Sequence, residues 1–170
     1  LLCVARLSSE KGPLILLDAL RRLRETGLSF TCTLVGDGPL RERLETRTAE
    51  LGLKDLVSFK GALPPDAVGA CYAACDAVVL SSLAEGIPLV LMEGMACHRP
   101  VVAPNLGAIA ELVENGVNGY LFAAGNAREL ADALEKLLRD PAAGQAFGEA
   151  GARKVNEEFR LDVSAEKLAA

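Results

Sequence analysis

The sequence predicts an α/β domain, a doubly wound (Rossmann-like) parallel sheet of about six strands covered by helices on both faces. Short apolar runs such as Leu1-Leu2-Cys3-Val4 and Ala77-Val78-Val79-Leu80 recur along the chain, with the length and composition of buried strands. Longer segments with leucines at helical spacing alternate with them, and Gly or Pro marks most of the junctions. No internal repeat, low-complexity tract or linker interrupts the alternation, so one domain is expected over residues 1–170.

Leu1-Leu2-Cys3-Val4 reads as strand one, ending near Ala5. The loop Arg6-Leu7-Ser8-Ser9-Glu10-Lys11-Gly12 leads to Pro13, whose fixed φ suits a first helical position. Leu16, Leu17, Leu20 and Leu23 form that helix's apolar stripe, and Gly27 is placed to stop it. Phe30, Cys32 and Leu34 alternate with Thr31 and Thr33 as strand two, closed by Gly36-Asp37-Gly38-Pro39. A second helix turns Leu40, Leu44 and Leu51 inward before Gly52, and Val57 to Lys60 is a short third strand. Pro64-Pro65-Asp66 opens a small helix through Cys71 and Ala74, which precedes the fourth strand from Ala77. Pro100-Val101-Val102-Ala103 is strand five and Asn118-Gly119-Tyr120-Leu121-Phe122 strand six. Two helices close the chain: Ala127 to Arg139, with Leu130, Leu134, Leu137 and Leu138 inward, and Pro141 to about Phe159.

Composition narrows the function. A net charge of -5, few aromatic residues and no Trp disfavour nucleic acid. The one modest basic cluster, Arg21, Arg22 and Arg24, reads as a solvated helix face, with anionic membrane as the alternative. No apolar run reaches the roughly 20 residues that span a bilayer, and no basic leader opens the chain, so a cytoplasmic protein is expected. Five cysteines in a chain of this size read as reduced and buried, and His98, the only histidine, as structural. The chain opens at Leu1, already inside an apolar run, and is expected to be a piece of a longer protein.

The stretch Leu83-Ala84-Glu85-Gly86-Ile87-Pro88-Leu89-Val90-Leu91-Met92-Glu93 carries the chemistry. Pro88 suits a first helical position, which would leave the amides of Leu89 and Val90 unpaired at the helix start. Such a start carries roughly half a positive charge and free donors, and suits a phosphate. Glu85 and Glu93 bracket it, and carboxylates accept from hydroxyls rather than bind phosphate. An anionic centre flanked by hydroxyl-bearing groups is the form of a nucleotide diphosphate sugar. In the strand order 3-2-1-4-5-6 the loops after strands one and four meet at the switch point, which brings Arg6 and Lys11 opposite this helix start. An Arg fork and a mobile Lys would then neutralise a diphosphate. No Asp-x-Asp pair offers to hold a metal there, so neither metal nor cofactor is expected.

Gly36-Asp37-Gly38 lacks the third glycine of a dinucleotide fingerprint and follows strand two rather than strand one. Asp76 precedes its strand, which argues against a phosphoacceptor receiver domain.

Three segments in order, Ala5 to Gly12, Val35-Gly36-Asp37-Gly38-Pro39-Leu40 and Ser81 to Glu93, resemble the carboxyl-terminal domain of family 4 retaining glycosyltransferases. Pro100 to Ala103, Gly107 to Val113 and Asn115 to Leu121 continue the match, so the resemblance covers nearly the whole chain. It implies the donor-binding half of a two-domain GT-B enzyme whose amino-terminal, acceptor-binding half is absent. By matching position, Arg6 and Lys11 would bind the donor diphosphate, and the backbone of Gly86, Ile87, Pro88, Leu89 and Val90 would meet sugar and phosphates. Glu93 would hold the ribose hydroxyls, Glu85 would meet the transferred sugar near the reacting carbon, and backbone near Lys60 would hold the base. The implied reaction is transfer of a hexose-type sugar to a glycan or lipid-linked acceptor by the full-length protein, with peripheral membrane association as an option and no activity in the fragment alone. The sequence departs from the family pattern at His98 and Ala108, often Gly, at Ala110 and Ser81, often Pro, and at Gly94, often Ala. A nucleotide-sugar epimerase and a non-catalytic sugar-nucleotide module are the alternative readings.

Overall fold

The structure, a computed structural model, describes residues 1–158. Six parallel strands form one sheet in the order β3-β2-β1-β4-β5-β6: β1 (Leu2–Val4), β2 (Cys32–Val35), β3 (Val57–Phe59), β4 (Val78–Val79), β5 (Val101–Pro104) and β6 (Gly119–Phe122). The helices are α1 (Pro13–Glu25), α2 (Arg41–Glu50), α3 (Pro65–Ala74), α4 (Leu89–Ala96), α5 (Gly107–Leu112), α6 (Ala127–Arg139) and α7 (Pro141–Glu158). A single 3-10 turn, Ser9–Lys11, interrupts the loop after β1. The doubly wound sheet expected from the sequence is present in full, with its switch point between β1 and β4, where Leu2 pairs with Val78. The expected end of the last helix, near Phe159, lies outside the described residues.

The strands are hydrophobic on both sides because both sides are covered. Cys3, Leu34, Val79 and Val102 point into a core with Leu16, Leu20, Leu44, Leu130 and Leu134 of α1, α2 and α6. Their neighbours Leu2, Val78, Val101 and Ala103 point the other way, against Tyr72, Leu91, Met95 and Ile109 of α3, α4 and α5. Register thus sends alternate residues of one strand to two separate cores. Cys3 and Cys32 are buried in the first of them. Burial pushes the Cys32 thiol up to about 12 and raises that of Cys3 too, so both pack as neutral groups.

Helix α7 crosses from one core to the other, with Phe147 in the first and Val155 against the second. Gly148 permits this approach, since a Cβ there would lie 2.2 Å from the His98 carbonyl oxygen. His98 itself ends α4 at φ 57, in the left-handed region. The His98 amide donates to the Met95 carbonyl at 2.8 Å and that of Arg99 to Gly94 at 2.9 Å, the paired closing bonds of a Schellman motif. A glycine, which the resemblance implies at this position, would adopt that backbone without steric cost. A left-handed non-glycine residue costs about 1–2 kcal/mol, partly offset by the greater freedom glycine has when unfolded. His98→Gly is therefore expected to stabilise the protein by about 0.5–1 kcal/mol, read as a higher denaturant midpoint at unchanged slope.

Candidate functional site

Strand β1 feeds α1 on one face of the sheet and β4 feeds α4 on the other, so their loops diverge and leave a crevice at the carboxyl ends. It holds about 190 Å³ and is lined by Arg6, Lys11, Glu85 and residues 87–90, over a floor that includes Val4 and Leu80. The two segments expected to converge are brought together.

Contacts at the backbone of both loops join them. The Leu83 amide donates to the Glu10 carbonyl at 2.8 Å, and the Ser81 hydroxyl to the Lys11 carbonyl at 3.0 Å. Gly12, at φ 59, lies so close that a Cβ would stand 2.1 Å from the Ser81 carbonyl oxygen. Gly36-Asp37-Gly38 also acquires a role, as a brace for the Arg6 loop rather than a cofactor turn. The Leu7 amide donates to the Asp37 carbonyl at 3.0 Å, and Cβ atoms at Gly36 and Gly38 would strike the backbone at Ala5 and Leu7.

Within the crevice, Lys11 Nζ donates to Glu85 Oε1 at 2.7 Å, and the Ser82 hydroxyl donates to the same oxygen at 2.6 Å. The Glu85 side chain is 9% exposed, so the pair is held largely away from water. Arg6 is exposed and forms no ion pair among the described residues.

The helix start differs from expectation. Helix α4 begins at Leu89, with Pro88 in the cap position at φ -82, ψ 61 rather than in the first turn. The chain bends sharply there, and the Leu89 amide donates to the Ile87 carbonyl at 2.9 Å instead of standing free. Leu91 donates to Pro88, which leaves the Val90 amide as the one of the expected pair without a backbone acceptor among the described residues. Gly86, between Glu85 and Ile87, is exposed on the loop.

Glu93 and Lys60 do not enter this crevice. Glu93 lies in the next groove along α4, beside Leu63, Pro65, Val68 and Cys97, and its Oε2 accepts from the Tyr72 hydroxyl at 2.8 Å. Burial, then the carboxylate beside it, raise that tyrosine's pKa, so the hydroxyl keeps its proton and donates. Lys60 follows β3, beyond both β2 and β1 from the switch point. It lines a separate cavity with Leu1, Thr31 and Asp76, residues that precede strands. Its backbone amide is committed to the Leu34 carbonyl at 2.9 Å.

A family model described as glycosyl transferases group 1 matches residues 1–154. The chain belongs to that family. Among curated relatives, this group 1 glycosyl transferase chain is 35% identical over 175 residues to the amylovoran biosynthesis glycosyltransferase AmsK of Erwinia amylovora, covering 99% of the chain and 43% of the relative. It is 31% identical over 174 residues to a GDP-mannose-dependent phosphatidylinositol monomannoside mannosyltransferase of Mycobacterium tuberculosis, covering 98% and 45%. The crystal structure of Anabaena Alr3699/HepE in complex with UDP-glucose superposes with a TM-score of 0.88 at 31% identity, over 99% of this chain and 47% of that one. The chain thus spans less than half the length of these three relatives.

The sequence assigns no role to Ser81, Ser82 or Tyr72, which the structure ties to Lys11, Glu85 and Glu93. The two serines are 1% and 0% exposed at the carboxyl end of the central strand, and a hydroxyl pair at that place was the available signal. Among the described residues no group of three or more His, Cys, Asp or Glu side chains is placed to hold a metal ion, and no helix is long and apolar enough to cross a membrane.

Proposed function

We propose that this chain is the donor-binding domain of a family 4, retaining glycosyltransferase, which transfers a hexose-type sugar from a nucleotide diphosphate sugar without a metal ion. The observation that carries this is the crevice itself, where Arg6 and Lys11 face Glu85 and the start of α4. Relatives that act on or bind sugar nucleotides add weight, since one is GDP-mannose-dependent and another holds UDP-glucose.

In the reaction the bond from the sugar's anomeric carbon to the diphosphate oxygen breaks, a bond to the acceptor oxygen forms, and the proton of the acceptor hydroxyl passes to the departing diphosphate. The electron pair of the broken bond leaves with the diphosphate, so negative charge grows beside Arg6 and Lys11. Lys11 has three donors, of which Glu85 uses one, and the others remain for phosphate oxygens. Glu85 faces the sugar end, and Glu93, oriented by Tyr72, is assigned to the ribose hydroxyls. The base rests on backbone beyond β3, near Lys60. The acceptor, a glycan or a lipid-linked saccharide, is assigned to the half of the protein outside this chain, where peripheral contact with a membrane would also arise. The isolated chain is expected to bind nucleotide weakly and to transfer nothing.

Calorimetry on the full-length protein with UDP, GDP and ADP, with and without EDTA, tests this reading. One nucleoside diphosphate is expected to bind, with the same affinity in EDTA. Binding by none of the three, or only with a divalent ion present, overturns it.

A further inference from the structure

We propose that Ser82 is a positioning residue that fixes the Glu85 carboxylate for its work on the donor sugar, an inference that rests on the role assigned to Glu85 above. Ser82 is fully buried, and its hydroxyl donates at 2.6 Å to Glu85 Oε1. Lys11 Nζ reaches the same oxygen at 2.7 Å. Oε2 accepts no protein hydrogen bond among the described residues, so the carboxylate is anchored by one oxygen and offers the other.

The two anchors differ in kind. Lys11 is a flexible ammonium that an arriving diphosphate attracts, so its hold on Glu85 weakens when the donor binds. The serine hydroxyl is short and sits at the end of a buried strand, and it stays in place whatever Lys11 does. Glu85 itself belongs to a loop whose neighbours Ala84, Gly86 and Ile87 are exposed, and Lys11 and Ser82 are the hydrogen-bond partners of its side chain among the described residues. Ser82 therefore keeps the carboxylate aimed while Lys11 turns to the phosphates. Its neighbour Ser81 reaches the other way, to the Lys11 carbonyl, so adjacent hydroxyls serve the two sides of one ion pair.

The test is steady-state kinetics of the full-length protein with water as acceptor, measured as release of UDP from UDP-glucose or GDP from GDP-mannose. Ser82→Ala is expected to lower kcat about 10- to 100-fold, the range for a misplaced catalytic group, with donor KM within about twofold. Ser82→Thr, which keeps the hydroxyl, is expected to recover most of the loss. In a Glu85→Gln background Ser82→Ala is expected to change kcat by less than about twofold, because residues that act as one unit are not additive. Equal losses in both backgrounds, or full kcat in Ser82→Ala beside an impaired Glu85→Gln, overturn the positioning role alone. Full kcat in Glu85→Gln removes the role of Glu85 on which it rests. Should Ser82→Ala fail to fold, Ser82→Cys, a weaker donor of similar size, is expected to show an intermediate loss, and full kcat in it overturns the proposal equally.

Discussion

Arg6→Ala or Lys11→Ala in the full-length protein is expected to remove about 2–4 kcal/mol of transition-state stabilisation, about 30- to 1,000-fold in kcat. In the proposed reaction charge on the diphosphate grows as the glycosidic bond breaks, so cations beside it are more valuable in the transition state than in the bound donor. The structure separates the two. Arg6 is exposed and uncommitted to any ion pair among the described residues, so its loss removes a charge and disturbs no protein contact of that kind. Lys11 is committed to Glu85, and its removal leaves a carboxylate only 9% exposed with Ser82 as its remaining donor, in the crevice assigned to an anion. Lys11→Ala is therefore expected to raise donor KM as well as lower kcat, while Arg6→Ala lowers kcat with a smaller change in KM. Near wild-type turnover in both variants defeats the assignment of the diphosphate to this crevice.

That contrast was not readable from the sequence, although the meeting of the two loops was. Strand order follows from the alternation of elements and from one topological rule, so Arg6 and residues 87–90 could be placed at one switch point from their positions alone. What escaped depended on side-chain reach. The bonds from Lys11 and Ser82 to Glu85 join the ends of two loops whose shapes no periodicity specifies. The position of Lys60, beyond both β1 and β2 from the crevice, follows from the same strand order, whereas the cavity it lines does not. Helix α5 was passed over because six residues give only one apolar repeat, Ile109 and Leu112, too little to show a period. Pro88 was placed one residue too far inside α4, since Pro suits both the cap and the first turn and only the backbone angles decide.

Gly12→Ala is expected to damage both the fold and the site, and Gly27→Ala separates its two causes. Both glycines adopt left-handed backbone, at φ 59 and φ 76, where any other residue costs about 1–2 kcal/mol. At Gly27 a Cβ would meet nothing within 4 Å, so conformational strain is the whole penalty there. At Gly12 the Cβ would sit 2.1 Å from the Ser81 carbonyl oxygen, a backbone atom that no rotamer change removes. The seam between the two loops must open, which adds the cost of overpacking, about 1–3 kcal/mol. With the unfolded-state freedom that glycine loses on substitution set against the strain, Gly12→Ala is thus expected to lose about 1.5–4 kcal/mol in denaturant unfolding against about 0.5–1 for Gly27→Ala. Opening that seam also pulls the Ser81 hydroxyl from the Lys11 carbonyl and shifts Lys11 against Glu85. Turnover of the folded Gly12→Ala protein should fall at least tenfold, since small misplacements at a reacting centre cost about a hundredfold, while Gly27→Ala keeps wild-type turnover. If the two variants matched in stability and in turnover, the contact between the β1 and β4 loops would not be what holds the crevice together.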